Sequence, residues 1–295
     1  MQKMIIVQLN GGLGNQMFQY AVGRNLSYSL NTELKLDISQ FPRDKLREYS
    51  LSIFNIKQIF ASPRDMNRIK RPLAWKVKHP VKTLISAVNL DPPIMHVKER
   101  EFNFDHGIQV LPNDIFLEGY WQSEKYFKNI EPLIREEFTL KPVLGLNLRD
   151  LSEKIRYRNS VSIHIRRGDY IINPVTNETH GICSADYYQR AIKKIAQSVN
   201  NPYFVFFSDD PVWVKENMII EYPWCCASHN NSKDYEDMFL MSLCKHHIIA
   251  NSSFSWWGAW LCTNPKKIII APAKWFNKPN IPIDDIIPES WIKLS

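Results

Sequence analysis

The 295-residue sequence predicts an α/β fold of two halves facing each other across a cleft. Three observations carry this. Short apolar runs recur along the chain, each closed by glycine or polar residues and followed by helical periodicity. One run, Tyr203–Phe207 (YFVFF), is apolar at every position, as in a strand of a parallel sheet covered on both faces. The strand–helix rhythm restarts after residues 141–159, a charged stretch holding Pro142 and Gly145, so domains are expected over 1–150 and 151–295.

Composition narrows the class. The chain is 44% hydrophobic and 23% charged, which supports a sizeable core and argues against disorder. No window holds the roughly 18 apolar residues of a membrane span. Net charge is +7, from 37 basic and 30 acidic residues, which suits an anionic ligand and falls short of a nucleic-acid signature. The five cysteines are odd in number and form no C-x-x-C pair, so neither a disulfide framework nor a zinc site is indicated. A reducing compartment follows as the simpler expectation. The run MQKMIIVQLNGG is too short and polar for a signal peptide, so a cytoplasmic protein is expected.

In chain order, Met4–Leu9 reads as a buried strand. It is followed by Asn10-Gly11-Gly12-Leu13-Gly14-Asn15-Gln16 and a helix over Asn15–Asn31. A Gly-poor chain that places three of its ten glycines within four positions needs a left-handed backbone or a close approach there. A strand, a glycine loop and a helix start make either an anion- or sugar-facing loop or an unliganded turn. Glu33–Ile38 alternates as a strand. Residues 64–82 carry seven basic side chains against Asp65, either a solvated basic face or a patch for anionic lipid or a phosphorylated acceptor. Met95–Phe104 and Ile115–Trp121 read as strands, and Ser123 caps a helix reaching Phe138. Tyr120 and Trp121 suit either sugar stacking or core packing.

In the second half, Val161–Ile165 alternates β-branched residues with Ser162 and His164 and runs into Arg166-Arg167-Gly168-Asp169. Two adjacent guanidiniums repel one another and make sense beside an anion, since their planar forks bind oxygens in pairs. The alternative is a solvated Arg-Asp turn. Asn173–Gly181 reads as a polar loop with Glu178 and His180. Ser184–Asn200 is an amphipathic helix capped by Ser184. The YFVFF strand stops at Ser208-Asp209-Asp210-Pro211. A helix over Lys233–Lys245 precedes a short strand, His247–Ala250, which ends in Asn251-Ser252-Ser253-Phe254-Ser255 before a Trp-rich helix from Trp256. Lys267–Ala271 is the last strand expected. SDDP and NSSFS would each serve as a helix cap in the absence of a ligand.

Three strand ends with polar clusters suit a nucleoside diphosphate, because in a parallel sheet such ends lie side by side. Arginines would neutralise the diphosphate, Ser252 and Ser253 at a helix start would cradle it, Asp209 or Asp210 would accept from base or ribose, and Phe254 would stack on the base. The chain contains no D-x-D pair for a metal, whereas Arg166 and Arg167 supply fixed positive charge toward a leaving group.

HIRRGDY at 164–170, GGLGNQMFQYA at 11–21, FFSDDP at 206–211 and HIIANSSFSWWGAWL at 247–261 together resemble the α-1,2-fucosyltransferases, of glycosyltransferase family 11 type. The resemblance runs from the first strand to about Pro272. It implies two Rossmann-like domains of the GT-B type, with GDP-β-L-fucose as donor and no metal. It also implies inverting transfer to O2 of a galactose, commonly a terminal β-galactoside of a glycan, lipid-linked in some cases.

By the same resemblance the carboxyl-terminal half holds GDP-fucose and the amino-terminal half holds the acceptor. Arg166, with Arg167 in support, would bind the β-phosphate. His164 and one of Asp209 and Asp210 would face the guanosine, and Ser208, Asn251, Ser252, Ser253 and Phe254 would line the nucleotide pocket. The Gly12–Gln16 loop, with Gly12, Gly14 and above all Asn15, would close on the fucose and acceptor. Asp169 and Glu178 are the candidate bases, and Asp169 could instead brace the arginines. For His246 and His247 a structural use is expected. The implied setting is a bacterial cytoplasmic enzyme of polysaccharide or O-antigen assembly, peripheral to the inner membrane through 64–82. No nucleic acid is involved, and no oligomeric state is specified.

Overall fold

A computed structural model describes residues 3–44, 46–69, 93–141, 146–168, 174–227, 233–278 and 281–295. The chain divides into two compact units, Met1–Phe138 and Thr139–Ser295. The division falls ahead of residue 150 because the helix Leu146–Tyr157 packs within the second unit, against Asn159–Ile165 and Asp234–Leu243.

The first unit is built on β1 (Met4–Gln8), α1 (Leu13–Ser29), β2 (Glu33–Asp37), α2 (Pro63–Ile69), β3 (Met95–Lys98), β4 (Ile115–Glu118) and α3 (Glu131–Glu137). Its strands form a parallel sheet in the order β2-β1-β4-β3. β1 is central and apolar, with Ile5, Ile6 and Val7 fully buried, and α1 packs onto it. Gly23 sits at that contact, where a Cβ would lie 2.8 Å from Leu34 Cδ1.

Three sequence expectations fail here for local reasons. The strand expected over Met95–Phe104 ends at Lys98, and the strand expected to Trp121 ends at Glu118, because Glu99 and Gly119 open a turn. The helix expected from Ser123 is broken into 3-10 turns at Glu124–Tyr126 and Lys128–Ile130 before α3, which begins around Pro132. Of the basic 64–82 stretch, residues 70–82 lie outside the described residues. Arg68 is buried and paired with Asp114 (3.2 Å), and Asp65 holds Lys35 at 2.9 Å.

The second unit comprises α4 (Leu146–Tyr157), β5 (Asn159–Ile165), α5 (Pro174–His180), α6 (Ala185–Ala196), β6 (Pro202–Ser208), α7 (Pro211–Asn217), β7 (Trp224–Cys226), α8 (Asp234–Leu243), β8 (His246–Ile248), α9 (Ser253–Leu261), β9 (Ile269–Pro272) and β10 (Ile292–Leu294). Its sheet is also parallel, in the order β10-β9-β8-β5-β6-β7. β7 and β10 carry too few residues to show a periodicity and were not expected. α5 replaces the expected loop: Pro174 opens it, and Gly181, at φ +67°, ends it in the left-handed region.

β6, apolar from Pro202 to Phe207, is buried on both faces. Phe204 and Phe206 join Val161, Ile163, Ile165 and the Tyr188, Ala191 and Ile195 face of α6. Tyr203, Val205 and Phe207 join Ile155, Leu240 and Met241 on the opposite face. The register sets Ile165 beside Ser208 and Ile163 beside both Phe206 and Ile248. β5 therefore carries its polar residues, Ser160, Ser162 and His164, into the second of these layers. Ser162 Oγ meets His247 Nδ1 at 2.8 Å, and His246 Nδ1 accepts from the Ile268 N–H, so both histidines are structural.

Candidate active site

β8, β5 and β6 are neighbours, so the three polar strand ends leave the second sheet side by side. This is where open parallel sheets place ligands. Arg166 Nη1 lies 3.0 Å from Asp209 Oδ2, and Arg167 Nε lies 3.1 Å from Asp210 Oδ2. Asp209 Oδ1 also accepts the Arg167 backbone N–H at 2.9 Å. The Arg167 guanidinium lies 4.2 Å from the Trp213 ring centre. Each arginine thus carries its own counter-charge from the next strand, which offsets the repulsion between them. These partly exposed pairs add little stability. Their effect is orientation, since one carboxylate engages at most two of a guanidinium's five donors.

Asp210 has two jobs at once. Its Oδ1 caps α7 through the Trp213 N–H (3.0 Å), while Oδ2 holds Arg167. Ser208 Oγ accepts from the Asp210 N–H at 3.0 Å. The cap expected of SDDP therefore coexists with the ion pair. At Gly168 a Cβ would come 2.8 Å from Asp209 Oδ2, so a larger residue would displace the carboxylate that positions Arg166. Asp169 lies outside the described residues. Glu178 sits on α5, exposed.

His164 is 5% exposed, and its ring meets Phe254 at 5.4 Å. Its Nδ1 is buried without a hydrogen-bond partner among the described residues. Burial, with the Arg166 charge adding to it, pushes its pKa down to about 3. The imidazole is therefore neutral at pH 7. Between the unfolded value near 6.5 and about 3 the unfolded chain binds the extra proton. Stability attributable to His164 is present above pH 6.5 and is lost as pH falls toward 3. A His164→Gln variant is expected to show a shallower loss of unfolding free energy between pH 6.5 and 4, measured by urea titration at each pH. His247 is also held low by burial and stays in that variant as an internal reference.

Ser252 is the N-cap of α9, so Ser253 and Phe254 form its first turn rather than preceding it. The Ser252 carbonyl accepts from the Trp256 N–H and from Ser255 Oγ. Asn251 is occupied by the protein itself. Its Nδ2 donates to the carbonyls of His180 (2.8 Å), Gly181 (3.3 Å) and Trp275 (3.1 Å), and its Oδ1 accepts from Cys183 Sγ. It ties α5 and the β9 exit to the β8 turn.

In the first unit Gly11 has φ +71°. The Gly12 carbonyl accepts from the N–H groups of Asn15 (3.0 Å) and Gln16 (3.1 Å). Gly12 is the N-cap of α1, and Gly14 is buried in its first turn. Two buried glutamines hold this loop: Gln16, expected within the acceptor-facing loop, and Gln19, for which sequence reading gave no role. Gln16 Nε2 donates to the carbonyls of Gly11 and Glu48, and Gln19 Nε2 to Asn10 Oδ1 and the Gly119 carbonyl. The available signal was Gln at i and i+3 within an otherwise apolar helix face. Asn15 Oδ1 accepts from Gln122 Nε2 at 2.9 Å, which joins the glycine loop to the β4 exit.

The β4 exit is strained. Trp121 is 1% exposed and has φ +58°, which costs a bulky residue on the order of 1–3 kcal/mol. Glu99 clamps the turn, its two oxygens accepting from the N–H groups of Tyr120 (2.6 Å) and Trp121 (2.8 Å). A Cβ on Gly119 would lie 2.4 Å from Glu99 Cβ. Burial raises the Glu99 pKa against the pull of those two donors. Trp121 is therefore a packing residue, and Tyr120 is the one at the surface. Among the described residues no group of three or more His, Cys, Asp or Glu is placed to hold a metal, and no helix is long and apolar enough to cross a membrane.

The model of glycosyl transferase family 11 matches residues 101–295. An α-1,2-colitosyltransferase of Escherichia coli is 36% identical, covering 98% of both chains. The O-antigen biosynthesis glycosyltransferase WbnK of Escherichia coli is 38% identical, over 97% of this chain and 99% of that one. A galactoside 2-α-L-fucosyltransferase, SEC1 of Bos taurus, is 24% identical over 86% of this chain and 63% of its own. Among solved structures, an Arabidopsis thaliana FUT1 variant in complex with GDP shares the fold at TM-score 0.51 and 13% identity, over 91% of this chain and 70% of that chain. The chain belongs to glycosyltransferase family 11.

Proposed function

We propose that the protein is an inverting, metal-independent glycosyltransferase moving L-fucose from GDP-fucose to O2 of a terminal β-galactose in a glycan precursor. The observation that carries this is the pairing of Arg166 and Arg167 with Asp209 and Asp210 on adjacent strand ends, beside His164 and Phe254. The reading follows a GT-B-type division of labour, with the donor on the second unit and the acceptor on the first.

The acceptor hydroxyl attacks the anomeric carbon from the side opposite GDP. The bond from that carbon to the β-phosphate oxygen breaks, and its electron pair leaves with GDP. The transition state is oxocarbenium-like, as in glycoside hydrolysis. Arg166 and Arg167 meet the charge growing on the departing phosphate, with the α9 amino terminus at Ser252 and Ser253 in support. His164, neutral and with an unsatisfied buried nitrogen, faces the guanine with Phe254 and Ser208. Asn15, with Gly12 and Gly14, faces the fucose and acceptor. The hydroxyl proton passes to Asp169 or Glu178. The basic residues of 64–82 other than the buried Arg68 are assigned to peripheral contact with the inner membrane, where a lipid-linked acceptor would be met.

A second donor reading is favoured by the 36% identity to an α-1,2-colitosyltransferase across nearly the whole of both chains. Colitose lacks one hydroxyl of fucose, a difference the diphosphate contacts do not sense. The test is GDP release from GDP-fucose and from GDP-colitose against a panel of galactosides, with and without chelator, followed by linkage analysis of the product. GDP-fucose with a β-galactoside is expected to give an α-1,2 product at a rate unchanged by chelator. Faster turnover of GDP-colitose would reassign the donor, another linkage would reassign the acceptor, and a strict need for a divalent ion would refute the arginine mechanism. GDP binding without release on any galactoside would leave an inactive nucleotide-sugar binder.

A further inference from the structure

The β4 exit turn is built at some energetic cost, and what it exposes is an aromatic face. Backbone in a sparsely populated region persists where its surroundings over-determine it, and such outliers cluster at ligand sites. Here a left-handed Trp121, a glycine with no room for a Cβ and a half-buried Glu99 that accepts from two backbone N–H groups are all spent on one turn. Trp121 itself points inward, edge-on to Tyr126 at 5.6 Å. The residue turned outward is Tyr120, 39% exposed. Its ring stacks nearly parallel on Phe102, at 6.1 Å between centres and 11° between planes. One face of Tyr120 is thus backed by Phe102. The same turn ends in Gln122, whose amide donates to Asn15 at the glycine loop.

A flat aromatic ring beside fixed polar groups is the composition that binds a pyranose. The C–H groups on one face of a β-galactoside lie on the ring, while its hydroxyls reach donors and acceptors at the edge. We propose that Tyr120, backed by Phe102 and held by Glu99, is a carbohydrate-stacking subsite that takes the apolar face of a galactose ring of the acceptor glycan. The assignment deepens the acceptor role given above to the first unit and rests on it for the identity of the sugar. Glu99 is a positioning residue: its carboxylate is engaged by two backbone N–H groups and acts through the turn.

The test uses saturation-transfer NMR of the full chain with methyl β-D-galactoside and with lactose, which needs no turnover. Wild type and Tyr120→Phe are expected to transfer saturation to the H3, H4 and H5 protons of galactose. Tyr120→Ala is expected to lose that pattern while keeping the wild-type thermal unfolding midpoint and GDP affinity. In steady-state assays the acceptor KM should rise at least about fivefold in Tyr120→Ala with the donor KM unchanged, as for loss of one aromatic anchor. Phe102→Leu, which removes only the backing ring, should fall between. Galactose signals unaltered in Tyr120→Ala, or absent in wild type, would overturn the subsite. Galactoside binding at Tyr120 without any transfer would sustain the subsite and overturn the transferase reading instead.

Discussion

Arg166→Ala is expected to lower kcat roughly 100- to 1000-fold, the scale for removing one fixed donor at a developing oxyanion. The unfolding free energy should change little, because the lost partner, Asp209, is partly exposed and keeps its bond to the Arg167 N–H. Arg167→Ala should also reduce turnover, but with a wider effect: it removes the partner of Asp210 and the cation over Trp213. Lysine at either position should not restore activity, since a point charge cannot reproduce the planar fork that divides its donors between carboxylate and phosphate. Stopped assays of GDP release, with donor affinity measured separately, check this. Wild-type kcat in both alanine variants would remove the arginines from the mechanism.

Trp256→Ala is expected to destabilise the protein by about 3–5 kcal/mol, the range for deleting a buried aromatic side chain. Trp256 is fully buried and lies against Trp257, Trp260 and Trp291. Its Nε1–H donates to the Ile286 carbonyl at 2.8 Å, so its removal leaves that acceptor without its donor as well as opening a cavity. Trp256→Phe keeps part of the volume and should lose less. Urea denaturation reads both. Because Trp256 lies in the first two turns of α9, a folded Trp256→Ala should also bind GDP more weakly through a loosened Ser252–Phe254 turn. An unfolding free energy within about 1 kcal/mol of wild type would contradict the packing described.

Much of the second unit could be read from residue order because its signals are local. YFVFF is a doubly covered strand by composition alone, and the three polar strand ends are contiguous motifs. What they do to each other was not legible. Asp209 and Asp210 look like nucleotide ligands or caps in sequence, and the structure also engages them with Arg166 and Arg167, a pairing set by the β5–β6 register. Helix α5 was missed because its sequence, PVTNETH, is polar and short, and its start and stop depend on Pro174 and Gly181.

In the first unit the glycine loop announced itself by scarcity. The turn at Gly119–Gln122 did not, because its clamp, Glu99, is twenty positions away and carries no motif. The choice between stacking and packing for Tyr120 and Trp121 was likewise a tertiary question. One sign change of φ at Trp121 turns the indole into the core and leaves the phenol outside.

The amide of Asn251, shared among His180, Gly181 and Trp275, has a consequence for anyone exchanging parts between family members. The segments following β5 and β9 are knotted at one side chain, so they behave as a single cassette. A chimera that imports either alone inherits a mismatched knot, whereas one that carries both together with residue 251 keeps it tied.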